Sequence, residues 1–380
     1  MRIKQFIPMR SAYRILIVVF FHFFLVILGS LYPIVRTTSF RNLTGTPFDQ
    51  LMQWDSLFYS TIAQHGYSFS QALQKKYFSL TNVLPFSPHD KTAAFFPGLP
   101  IVIHYLSPIG ALLLIILLFI VNLTLFYHWV NAMYDEKTAF FSMLLFAVNP
   151  GSFYFTALYP ETFLVLGSLL IAYGLRRINR SGDRMAYLVC FFVGFFHKLA
   201  IMNLVFGLVF IKRKQYGKAI LYAILCFLPW IIFSLYLEFV FGHPLAFITA
   251  ESAWGRTFSF PFVNLLLGLW QQDWLNGVYM CILVGLLIRF LLLVWHEEKY
   301  RMITIYTICY AIVIISSYTK EGALMSVLRL FGVIWPIYIY TRREDQFRIW
   351  KRYIPYFLLF SFSLCTFIGS VLATHGHFFE

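Results

Sequence analysis

Long apolar runs separated by short polar connectors organise the chain. The first, from Arg14 to Tyr32, follows Arg2, Lys4 and Arg10, exceeds a secretory h-region and lacks a small-residue cleavage site, so it reads as a retained signal anchor. Further runs near 109–131, 138–149, 162–178, 185–197, 200–211, 218–241, 277–295, 302–316, 324–340 and 353–373 bring the expectation to about eleven transmembrane or reentrant helices. Several are shorter than the ~20 residues of a full crossing, and backbone breaks at membrane depth only where protein or a water-filled cavity surrounds it. Short runs therefore predict an enclosed polar site. Residues 185–211 lie between Arg184 and Lys212, both expected on one side, so they must enter and return, with His197-Lys198 at the tip.

Composition agrees with the pattern. The 380 residues are 60% hydrophobic and 20% aromatic, and only 12% are charged where a soluble domain carries roughly 25%. That excludes a soluble globular domain, a disordered chain, a coiled coil and collagen. What is expected is an all-α polytopic membrane protein.

The net charge of +14 raises nucleic acid as a partner until the cations are placed. With the N-terminus inside, loops 1–14, 132–137, 176–184, 212–218, 296–301 and 341–352 hold 20 Lys and Arg, while the opposite side and the short turns hold nine. This is a positive-inside signal, and no nucleic acid is needed to explain it. No repeat or soluble domain is visible, so residues 1–380 read as one membrane domain with two large non-cytoplasmic loops, 34–95 and 242–276. In the first, Trp54, Leu57, Phe58 and Ile62 recur at helical spacing and Gly66 closes the segment, which predicts an interfacial amphipathic helix. That loop also holds the sequon Asn42-Leu43-Thr44, weak support for an endoplasmic reticulum protein. Cys190, Cys226, Cys281, Cys309 and Cys365 sit singly in apolar runs and read as core residues, not as disulfides or a zinc site.

Scarce charge makes the outward charges informative. Asp55 lies at the start of the interfacial helix, where a carboxylate meets both a lipid substrate and a polar acceptor, although an N-cap role accounts for it equally well. Glu161 follows Pro160 in the first turn of another helix; the helix dipole explains it, and so does an acid/base or acceptor-orienting role. Lys198, at the hairpin tip, must snorkel or pair inside a cavity. Arg329 is the deepest Arg and must meet an anion, whether Glu161, Asp55, Glu321 or a substrate phosphate. Arg256, in Trp254-Gly255-Arg256, reads as either a membrane anchor or a ligand, and Arg289 as a snorkelling side chain. There is no DxD, HExxH, GxxxxGK[ST] or GxSxG motif. The remaining pattern, carboxylates with cations, suits transfer from a lipid phosphate.

Three blocks carry a family resemblance. Trp54-Asp55 with Ile62-Ala63-Gln64-His65-Gly66-Tyr67, then Ala94-Phe95-Phe96-Pro97-Gly98-Leu99-Pro100, then Asn149-Pro150-Gly151-Ser152 with Ala157-Leu158-Tyr159-Pro160-Glu161-Thr162-Phe163 resemble the PIG-V family of GT-C glycosyltransferases. Its eukaryotic members are the second mannosyltransferases of GPI-anchor synthesis. Gly242-His243-Pro244, Trp254-Gly255-Arg256 and Ser326-Val327-Leu328-Arg329 are more similar to the short bacterial members. Where relatives carry Thr-Arg in the hairpin this chain has His197-Lys198, which keeps the charge without the bidentate fork.

The resemblance implies a GT-C fold and inverting transfer of a hexose, mannose foremost, from a polyprenyl- or dolichyl-phosphate sugar to a glycolipid, polymer or protein acceptor. Asp55 then becomes the general base, Glu161 a second carboxylate that orients the acceptor, and Lys198, Arg256 and Arg329 phosphate partners, with His197 assisting and Trp54 beside the substrate. No metal cofactor is expected. The membrane would be the plasma membrane of a bacterium or the endoplasmic reticulum of a eukaryote, with the site on the non-cytoplasmic side. A transporter or flippase of lipid-linked sugars, or a noncatalytic subunit of a glycosylation complex, fits the same composition.

Overall fold

The computed structural model describes residues 9–32, 46–67, 92–176, 179–252, 255–271, 273–295, 297–319, 322–340 and 348–375. In chain order the helices are α1 (Met9–Leu31), α2 (Asp55–His65), α3 (Gly98–Asn131), α4 (Glu136–Ala147), α5 (Glu161–Arg176), α6 (Arg180–Val193), α7 (Leu208–Lys212), α8 (Tyr216–Phe241), α9 (Ala246–Ser252), α10 (Val263–Trp270), α11 (Trp274–Val294), α12 (Arg301–Ile315), α13 (Val327–Gly332) and α14 (Arg348–Thr374). Two short strands, β1 (Arg256–Phe258) and β2 (Ser317–Thr319), pair antiparallel with Arg256 opposite Thr319. Among the described residues the regular structure is helical, as expected, apart from this ribbon.

Among the described residues five helices are long and apolar enough to cross a membrane: α1, α3, α8, α11 and α14. Each turns large apolar side chains outward, among them Phe20, Leu117, Phe239, Leu292 and Phe360, the exposure expected of helices solvated by lipid. The other expected spans fall on shorter elements. Residues 200–211 lie on a 3-10 helix, Lys198–Gly207, and on α7. Residues 324–340 contain only α13 and a 3-10 turn, Trp335–Tyr338, and almost every side chain there is buried. That run is apolar because protein surrounds it. Conversely, α3 begins at Gly98, ahead of the expected 109, because Pro100 sits in its first turn and the break at Pro108 is absorbed as a kink at Ser107 (φ 65°, ψ 165°).

Glycine contacts set several crossings. A Cβ on Gly29 of α1 would stand 2.6 Å from Ser370 Cβ of α14, and one on Gly174 of α5 would stand 2.7 Å from the Gly182 carbonyl of α6. Alternation of direction then sorts the termini into two ends. At one end lie Arg14, which pairs with Glu136 at 2.5 Å, Lys212 with Glu298 at 2.5 Å, and Lys218 with Asp183 at 2.6 Å. The other end gathers the start of α2, the N-termini of α3 and α5, the turn after α6, the C-terminus of α8, and α9 with the ribbon. Arg289 departs from a snorkelling side chain: its guanidinium stacks on Tyr340 at 3.9 Å and donates to the Ile339 carbonyl at 3.3 Å.

Candidate functional site

Asp55 and Glu161 are brought together by stitching of two loops. The Leu158 amide donates to the Leu51 carbonyl (3.0 Å), the Ser56 hydroxyl to the Leu158 carbonyl (3.1 Å), and the Asp55 amide to the Tyr159 hydroxyl (3.2 Å). Asp55 is therefore the first residue of α2 and not its cap. Trp54 holds the cap position at φ 55°, ψ −116°, a region costly for a non-glycine residue, and this backbone sets the direction in which the chain enters α2 at Asp55. The expected apolar face of this helix is shifted: Ser56, Tyr59, Ser60 and Ile62 are buried, whereas Leu57 and Phe58 are only half-buried.

Arg329 joins the two carboxylates. Its Nη1 lies 2.8 Å from Asp55 Oδ2 and its Nε 3.3 Å from Glu161 Oε1, with the Tyr154 and Tyr159 rings each 5.4 Å from the guanidinium. The Glu161 side chain is 1% exposed and that of Arg329 10%, so this is an interior ion cluster with Asp55, at 22%, as its more open member. Arg329 rides on the short α13, which the Asn149–Ser152 segment clasps. A Cβ on Gly151 would stand 2.5 Å from the Leu328 carbonyl oxygen and 3.0 Å from Arg329 Cα, and one on Gly332 would stand 2.9 Å from Asn149 Oδ1. The Asn-Pro-Gly-Ser block thus acts by permitting this close approach.

A second cluster abuts the first. Glu251, on α9, accepts from Lys198 Nζ through Oε1 and lies 3.2 Å from Arg256 Nε through Oε2. Arg256 is tied in addition to Ser317 Oγ (3.5 Å) and Ser326 Oγ (3.3 Å), while Arg329 Nη2 also donates to Ser326 Oγ (3.3 Å). One hydroxyl therefore links the two clusters, and Ser326 holds it there at φ 65°. Burial alone would raise the Glu251 carboxyl, but Lys198 and Arg256 outweigh it and hold that group below its ordinary range.

Local packing explains these positions. The Gly98 amide donates to the Phe195 carbonyl at 2.7 Å and Phe163 stacks on Phe196 at 4.0 Å, which fastens the hairpin tip to the N-termini of α3 and α5. His197 caps the following 3-10 helix, its Nδ1 accepting from the Leu199 amide at 3.0 Å, so the proton of the neutral ring is on Nε2. Phe95, Phe96 and Leu99 pack in one apolar cluster with Tyr59 and Ile62 of α2, Phe233 of α8 and Phe247 and Ala250 of α9. The Asp55-bearing and Glu251-bearing helices therefore share a platform.

Asp55, Glu161, Arg329, Lys198 and Arg256 are thus brought to one end of the bundle, with His197 beside Lys198. The two carboxylates with Arg329 carry one net negative charge, and Lys198 and Arg256 with Glu251 one net positive charge. With α5 of 16 and α6 of 14 residues, the helices that deliver Glu161 and the hairpin tip are roughly 24 and 21 Å long, shorter than the ~30 Å of a bilayer's hydrocarbon core. Sequence reasoning missed Glu251: a Glu in an outward loop reads as solvated, and the usable signal was its place five residues before Arg256. Trp254, Lys320, Glu321, the sequon and most of loop 34–95 lie outside the described residues. Among the described residues no three His, Cys, Asp or Glu side chains are grouped to hold a metal ion. No protein-family model matches the chain, and no curated protein matches it.

Proposed function

We propose that the protein is a GT-C-like membrane glycosyltransferase that moves a hexose, mannose foremost, from a polyprenyl- or dolichyl-phosphate sugar to an acceptor hydroxyl. The observation that carries this reading is the juxtaposition, through Ser326, of a carboxylate cluster with a cationic cluster at one end of a lipid-exposed helical bundle. The resemblance of the three sequence blocks supports it, and so does their position, since all three build this end.

In the reading, the acceptor hydroxyl gives its proton to the Asp55 carboxylate as its oxygen bonds to the anomeric carbon. The bond from that carbon to the phosphate oxygen breaks with inversion, and the electron pair leaves on the lipid phosphate, turning a monoanionic diester into a dianionic monoester. Lys198 and Arg256 neutralise the added charge. Arg329 has a different part from that of a phosphate partner in this reading: paired with both Asp55 and Glu161, it aims the two carboxylates, and Glu161 orients the acceptor. The gathering of Lys and Arg at the opposite end supports, through the positive-inside rule, a site on the non-cytoplasmic face.

The experiment is hexose transfer by purified protein in lipid with labelled polyprenyl-phosphate mannose and candidate acceptors, wild type against Asp55→Asn. The reading expects transfer by wild type and a loss of orders of magnitude in the variant. Equal transfer by both overturns the base, and protein-dependent movement of the lipid-linked sugar across the bilayer without transfer supports the flippase alternative.

A further inference from the structure

The cationic cluster already holds an anion, the Glu251 carboxylate. We infer that Glu251 is a built-in substitute for a phosphate ester: it occupies the seat of the ligand's phosphate between Lys198 and Arg256, and an incoming prenyl phosphate displaces it. The inference rests on the phosphate-binding reading above and adds the residue that regulates that seat.

Three features carry it. First, the two carboxylate oxygens are divided, one on Lys198 Nζ and the other facing Arg256 Nε at 3.2 Å, the arrangement in which two oxygens of a phosphate would be received. Second, the cations have other supports. Arg256 is fixed by the β1–β2 ribbon and by Ser317 and Ser326, and Lys198 is rooted in the 3-10 helix that His197 caps. Arg256 keeps these contacts, and the backbone of Lys198 its place, when Glu251 leaves and a phosphate takes over its charge. Third, Glu251 rides on α9, a seven-residue helix between two glycines in the left-handed region, Gly242 (φ 65°) and Gly255 (φ 64°), and its side chain is 20% exposed. The resident carboxylate also compensates two partly buried cations that would otherwise be costly to hold close together.

A competing internal anion weakens apparent affinity by the fraction of time the seat is open. If Glu251 occupies the seat about nine-tenths of the time, Glu251→Gln tightens binding of farnesyl phosphate, a simple prenyl phosphate probe, by about tenfold, and Lys198→Gln weakens it in either background. Binding is read by calorimetry on the full chain in nanodiscs, with farnesol as the uncharged control. In the unaltered protein, farnesyl phosphate should speed amide exchange across residues 246–252 as α9 is released, a readout that needs no variant to fold. Unchanged or weaker binding by Glu251→Gln, or unchanged or slower exchange in 246–252, overturns the inference. Tighter binding with faster exchange but no hexose transfer by any preparation keeps this inference and removes the transferase reading instead. Transfer without the binding and exchange changes removes this inference alone.

Discussion

Replacing Arg329 by Gln tests whether the two carboxylates depend on one guanidinium. The substitution leaves Asp55 and the 1%-exposed Glu161 facing a site without its cation. A unit-charge pair about 4 Å apart is worth about 4 kcal/mol at an effective dielectric of 20. Removing one partner of a buried pair costs about 3–5 kcal/mol, because the other charge stays behind unpaired. Gln keeps some hydrogen-bonding capacity, so a loss of about 3 kcal/mol is expected near pH 7.5.

Reversible unfolding in mixed micelles reads this difference. A loss below about 1 kcal/mol, the size of an exposed ion pair, would refute the buried three-member cluster.

Gly151→Ala should cost about 1–3 kcal/mol and depress transfer, because its Cβ would meet the Leu328 carbonyl at 2.5 Å and displace α13, which carries Arg329. Gly217→Ala in α8, whose Cβ would meet nothing within 4 Å, is the control and should leave both stability and transfer within about 1 kcal/mol of wild type. If Lys198 and Arg256 take the electrostatic role of a metal, as proposed, transfer should persist in excess EDTA; activity abolished by the chelator and restored by Mn²⁺ or Mg²⁺ would show otherwise.

The candidate site was legible where charge was rare. Asp55, Glu161, Lys198, Arg256 and Arg329 stood out because an apolar chain gives an outward or intramembrane charge few bland explanations, and the need of Arg329 for an anion pointed to Glu161, Asp55, Glu321 or a substrate phosphate, of which the first two are its partners in the structure. Glu251 was hidden because its significance comes from tertiary structure: the α6 hairpin and the β1–β2 ribbon bring Lys198 and Arg256 to it from 53 residues upstream and five downstream. The fold was legible to the level of long apolar helices and failed where hydropathy has two causes. Residues 324–340 are apolar and enclosed by protein, whereas α14 is apolar and turns Tyr356, Phe357 and Phe360 outward, and a hydropathy window cannot distinguish the two. Pro100 and Pro108 hid the first turns of α3, since a proline in the first turn is tolerated and one at a kink is bypassed.

In the proposed reaction Asp55 takes the acceptor's proton as a hexose leaves a lipid phosphate. Its most direct measurement is the transfer rate with labelled polyprenyl-phosphate mannose in lipid, compared between wild type and an Asp55→Asn protein shown to be folded. The account predicts sugar transferred by wild type and a rate lower by a factor of about 10²–10⁴ in the variant. Equal rates in the two proteins would contradict it.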